Sequence, residues 1–174
     1  ANTLNNPTAA IFAGGETFVV DAGNNRVLAL GDISTGPQLS AGPPYTAQRV
    51  LGQLTFEYRS PNLIEGRELN SARGVAIDAS SNPPRLYIAD FGNNRILGYA
   101  DARRVRPGDR ADIVIGQPDF FRSLINYPTN SGDTRDDASL NGPSGLAVDS
   151  SGNLWVADTL NGRVLRFPAP FEQR

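Results

Sequence analysis

The residues with the most obvious chemical potential in this 174-residue chain are three Asp–Arg pairs, Asp21/Arg26, Asp90/Arg95 and Asp158/Arg163. At this spacing a carboxylate and a guanidinium can meet across a tight turn in a charge-assisted hydrogen bond. Two uses fit. The carboxylates could form a ring that holds a ligand or metal, or each could close one turn of a repeated unit. Identical recurrence favours the second, because residues that shape a repeat must recur and a catalytic set need not. A second acidic group, Asp133, Asp136 and Asp137, offers the hard oxygen ligands that calcium takes. It lacks the spacing of an EF-hand loop and reads better as a solvated acidic loop, so no cofactor or metal is assigned.

What is missing narrows the chemistry further. The chain has no His, Cys, Lys or Met, and all sixteen of its basic residues are Arg. That removes the usual general base, the commonest zinc ligand, thiolate chemistry and Schiff-base chemistry. Ser144 sits in Gly-Pro-Ser-Gly, which is not a nucleophile elbow. The balance is against an enzyme. A formal charge of −2 argues against nucleic acid and anionic membrane as partners. No apolar run approaches the ~20 residues of a membrane helix. The chain begins at Ala1 with no targeting segment; an export signal removed by processing would place it outside the cytoplasm.

The pairs belong to a longer repeat. TFVVDAGNNRVL (17–28), LYIADFGNNRIL (86–97) and LWVADTLNGRVL (154–165) align without gaps, with their Asp residues 69 and 68 apart. An aromatic stands three before each Asp: Phe18, Tyr87 and Trp155. An Asn follows three after: Asn24, Asn93 and Asn161. The third copy departs at Leu160 and Gly162, where the others have Gly and Asn. A Leu-Asn pair precedes each copy, and RVLGQ and IVIGQ follow the first two. Each unit therefore reads as four short strands, a to d, rich in β-branched and aromatic residues and separated by turn formers. Four antiparallel strands per repeat make one propeller blade. We expect an all-β fold of about three blades in a partial or open ring, forming a single segment over residues 1–174. Blade 1 spans about 4–53, blade 2 about 69–117, and blade 3, lacking its last strand, about 140–168. The three aromatics are expected to pack between blades.

The segments VDAGNNRVL, IADFGNNRIL and VADTLNGRVL, with the entry at Pro143–Gly145, resemble the NHL-repeat family over nearly the whole chain. The resemblance implies a propeller, usually six-bladed, with members that bind protein or RNA. It also implies relatives that act as metal-dependent lyases or lactonases. In that alternative Asp78 and Asp149, at the ends of strands a, would contribute to a centre formed mostly outside this chain.

Strand alternation puts the d–a loops (54–70 and 118–141) and the b–c turns on one face of the disc, and the a–b and c–d loops on the other. Long loops on a rigid scaffold commonly carry function. The d–a loops combine aromatic and Arg residues, a composition suited to binding hot spots. Phe56 and Phe120 recur in register and suit packing. Tyr58, Arg59, Phe121, Arg122 and Tyr127 are the ligand candidates. The stretch 102–110 holds four Arg that could contact phosphate, but neighbouring Asp residues point to local neutralisation. The expected function is thus a scaffold binding a protein, peptide or glycan through the d–a face, as part of a larger propeller. Open blade faces also predict self-association. If ~500 Å² of apolar surface stayed wet on each, about 12 kcal/mol of stabilisation would be forgone per face.

Overall fold

The short β-branched runs form eleven strands in the computed structural model, which describes residues 3–13, 15–31, 46–61 and 63–173. They make three antiparallel sheets. Blade 1 holds β1 (Pro7–Ala13), β2 (Glu16–Asp21), β3 (Arg26–Ala29) and β4 (Arg49–Leu51). Blade 2 holds β5 (Gly74–Asp78), β6 (Arg85–Asp90), β7 (Arg95–Tyr99) and β8 (Ile113–Ile115). Blade 3 holds β9 (Pro143–Val148), β10 (Leu154–Asp158) and β11 (Arg163–Phe167). The fold is all-β and propeller-like, and no helix among the described residues is long and apolar enough to cross a membrane.

The period of two sorts each strand between two neighbours. In blade 2, Val75, Ile77, Ile88, Leu97 and Tyr99 meet Phe18, Val20 and Val27 of blade 1. The alternate residues Tyr87, Ala89 and Ile96 meet Leu154, Val156 and the partly buried Leu146 and Leu165 of blade 3. Each apolar side chain buried in such a joint contributes about 1.5–3 kcal/mol. Two glycines mark where the sheets crowd. A Cβ on Gly74 would fall 1.9 Å from the Ser144 carbonyl oxygen, so strands β5 and β9 can run this close only with glycine there. A Cβ on Gly98 would lie 3.2 Å from the ring of Phe171, which returns from blade 3 to lie edge-on to Tyr87.

One expectation is corrected. The c–d loop of blade 2 does not stay on the face opposite the d–a loops. It climbs the outer rim beside blade 1. Arg49 Nη1 donates to the carbonyls of Ala102 and Val105 at 3.1 and 2.8 Å. Farther along, Gly108 N donates to Gln53 O and Ala111 N to Gly66 O, at 3.3 and 2.9 Å. The cause is burial: Ala102, Val105 and Ala111 join the core between blades 1 and 2. Within this loop Asp101 stands 3.6 and 3.5 Å from the Nε atoms of Arg103 and Arg104, which neutralises part of the basic stretch.

Candidate functional site

Each b–c connection is a three-residue 3₁₀ turn closed by a residue in the left-handed region: Asn25 and Asn94 at φ 52°, Gly162 at φ 63°. Asn and Gly tolerate that conformation best. The turn is held by a buried clasp, and blade 2 shows it fully. Arg95 Nε donates to Asp90 Oδ2 at 2.7 Å, and Asn93 Nδ2 donates to the same oxygen at 2.8 Å. The other oxygen, Oδ1, accepts the backbone N–H of Asn70 at 2.7 Å. Blades 1 and 3 repeat this through Asp21, Asn24, Arg26 and Asn5, and through Asp158, Asn161, Arg163 and Asn141. Burial pushes the Asp90 carboxyl above its ordinary value, while Arg95 and the N–H donors pull against that rise. Both carboxylate oxygens are occupied by protein donors, so these aspartates close turns and present no free oxygen to a ligand.

The clasp reaches into the d–a loops. Arg26 Nη1 donates to Phe56 O at 2.7 Å and Arg95 Nη1 to Phe120 O at 2.8 Å. Asn25 and Asn94 donate to Arg59 O and Ser123 O, at 2.7 and 2.9 Å. Gln53 and Gln117 bind Ser60 O and Leu124 O in the same way. The d–a loops are therefore irregular in shape yet anchored to the blade below. Phe56 and Phe120 pack against apolar clusters. Tyr58 and Phe121 point outward, at 55% and 63% exposure. Arg59 is exposed, and Arg122 pairs with Asp119 of its own loop. Arg110, from the climbing c–d loop, lies 4.1 and 5.4 Å from the ring centroids of Phe120 and Phe121. Tyr127 stands apart, half-buried in a groove of ≈ 390 Å³ between the rims of blades 2 and 3, with Val114, Gln117 and Phe167. The five candidate residues thus occupy separate parts of the loop surface and share no single pocket among the described residues.

The remaining carboxylates are engaged locally. Asp149 accepts from Ser151 N, Asn153 N and Nδ2, and Trp155 Nε1. The side chains of Asn153 and Trp155 hold its carboxyl down to about 2. Asp78 accepts from Ser80 through Oδ1, and its Oδ2 lies 3.7 Å from Arg85 Nη1. Burial, with Asp78 nearby, pushes the Tyr87 hydroxyl up to about 12. In the acidic loop, Asp136 caps Ala138 N and Ser139 N. No group of three or more acidic residues placed to hold a metal occurs among the described residues.

A position absent from the sequence reading lies where the innermost strands meet. Thr8, Arg73 and Ser144 occupy the same register in β1, just before β5, and in β9. They line a cleft of ≈ 540 Å³ with Ala9, Ala10, Gly74 and Gly145. The Arg73 guanidinium carbon lies 3.8 Å from the Phe91 ring centroid. The available signal was that these three residues differ while their surroundings repeat.

Residues 140–167 match the family model of the NHL repeat. Two solved structures share the fold. One is an auxiliary nutrient binding protein from Bacteroides thetaiotaomicron VPI-5482, with TM-score 0.58 and 16% identity over 90% of this chain and 36% of that one. The other is an auxiliary nutrient binding protein from Bacteroides ovatus ATCC 8483, with TM-score 0.58 and 14% identity over 93% of this chain and 37% of that one. The chain spans little more than a third of the length of each. No curated protein matches the sequence.

Proposed function

Taking the chain as a run of NHL-repeat propeller blades, we propose that it is a ligand-binding scaffold, part of a larger propeller, that works through the face bearing its d–a loops. The observation that carries this is the anchoring of those loops. Buried Arg and Asn side chains fix their backbone, so Tyr58 and Phe121 are offered outward without a large ordering cost on binding. Exposed aromatics on a preorganised frame suit a protein, peptide or glycan partner. The nutrient-binding description of the two Bacteroides proteins supports the same direction.

The test is to screen the immobilised chain on glycan and peptide arrays, then measure each hit against a Tyr58→Ala/Phe121→Ala double variant. A loss of roughly tenfold or more is expected for a partner held by two aromatic anchors. Unchanged affinity for every hit would show that a different surface binds.

A further inference from the structure

We infer that the cleft between the innermost strands is a binding site for a small hydroxylated carboxylic acid, with Arg73 as its anchor. The inference rests on the scaffold reading above and places a defined ligand class at the centre of the same face.

Arg73 is held at its backbone from two sides. Its backbone N–H donates to Ala89 O at 3.0 Å, and its carbonyl accepts the Thr8 hydroxyl at 2.9 Å. The residue is thereby tied to strand β6 of its own blade and to the innermost strand of blade 1. Its guanidinium lies over the Phe91 ring, which begins the b–c turn. Stacking on an aromatic face leaves the N–H edges of the guanidinium free, and those edges match a carboxylate in a two-bond fork. Among the described residues, no carboxylate lies within ion-pair distance of Arg73. By contrast, Arg26, Arg95 and Arg163 are each paired to an Asp.

The surroundings define the rest of the ligand. Ser144 and Thr159 bring two hydroxyls together, 2.5 Å apart, and Ser144 lines the cleft with Thr8. Hydroxyl groups there can exchange hydrogen bonds with ligand hydroxyls. The small residues Ala9, Ala10, Gly74 and Gly145 leave room, and a cleft of ≈ 540 Å³ suits a molecule the size of one sugar ring. One guanidinium with no second cation lining the cleft fits a singly charged carboxylate better than a phosphate dianion. A hexuronic or aldonic acid has this combination.

The experiment is isothermal titration of the chain with D-galacturonate, D-glucuronate and D-gluconate, with D-galactose as the neutral control. At least one acid should bind while galactose gives no heat. Arg73→Met should weaken binding tenfold or more, and Arg73→Lys should restore part of it. Arg73→Met is solvent-exposed and should leave the thermal melt in place, which separates lost binding from lost folding. No binding of any of the three acids would overturn the inference, as would equal binding of galactose or an unchanged affinity in Arg73→Met. Loss of array binding in the loop double variant, combined with no uronate binding, would keep the loop-face reading and remove only the Arg73 site.

Discussion

Blades 2 and 3 are built from matching residues, yet their environments differ. Tyr87 and Ile96 of blade 2 are fully buried, whereas their counterparts Trp155 and Val164 in blade 3 are 42% and 64% exposed. Among the described residues, blade 2 is covered on both faces and blade 3 is covered only by blade 2. The turns differ in the same sense. Asn25 and Asn94 accept the N–H groups of Ser71 and Gly142 in the following blade, at 2.8 and 2.9 Å. Gly162, their counterpart, has no side chain with which to do so. A repeat position therefore specifies a contact type, and the neighbouring blade decides whether that contact is made. Arg166 stands where blade 2 has Gly98, so blade 3 presents a long side chain where Phe171 meets bare backbone on blade 2.

The two blades should differ most at the clasp. Asp90→Ala leaves Arg95 buried and uncompensated, and should cost about 3–5 kcal/mol in urea denaturation. Asp158→Ala should cost less, because Arg163 is partly exposed and water can take over. Equal costs would mean that burial of the pair does not set its energetics. Next come the aromatics. Tyr87→Ala should cost about 3–5 kcal/mol, and Trp155→Ala on the uncovered face roughly 1 kcal/mol or less. A large penalty at Trp155 would indicate that a second copy or another partner covers that face in solution, and light scattering would check it. Asn94→Gly removes both the inter-blade bond from Gly142 N and the anchor to Ser123 O, and should cost about 2 kcal/mol. Gly162→Asn, with no following N–H to meet among the described residues, should be nearly neutral.

The smallest effect is in acid. Asp149 is held to about 2 in the folded chain, against 3.8 as its ordinary value. The folded state thus binds the proton less well than the unfolded state does. Its contribution is present above about pH 4 and is lost as pH falls from there toward 2. Asp149→Asn should flatten that part of the acid-unfolding curve followed by Trp fluorescence. An identical curve would show that the bonds to Asn153 and Trp155 carry no linkage.

Much of the fold was legible because the signals are local. Each clasp spans five residues from Asp to Arg, and each strand alternates with a period of two. The anchoring of the d–a loops is less visible. Arg26 reaches Phe56 and Arg95 reaches Phe120, over 30 and 25 residues, and carbonyl acceptors leave no trace in residue identity. The climb of the c–d loop is hidden for a related reason. Ala102, Val105 and Ala111 form no period, and only the groove beside blade 1 makes them a core. Composition places Tyr127 with Tyr58 and Phe121, and packing separates them.

Residue order carries the blades, the positions of their turns and a preference for a structural role of the recurring Asp and Arg residues. Hydrogen bonds within a few residues and strand alternation are written directly in residue order. Which aromatics are buried and where the loops are tied follow from the packing of whole blades. Tertiary packing also brings Thr8 against Arg73 and places both beside Ser144, one residue from each blade. Those outcomes depend on which strands lie side by side, and residue types alone do not encode that adjacency.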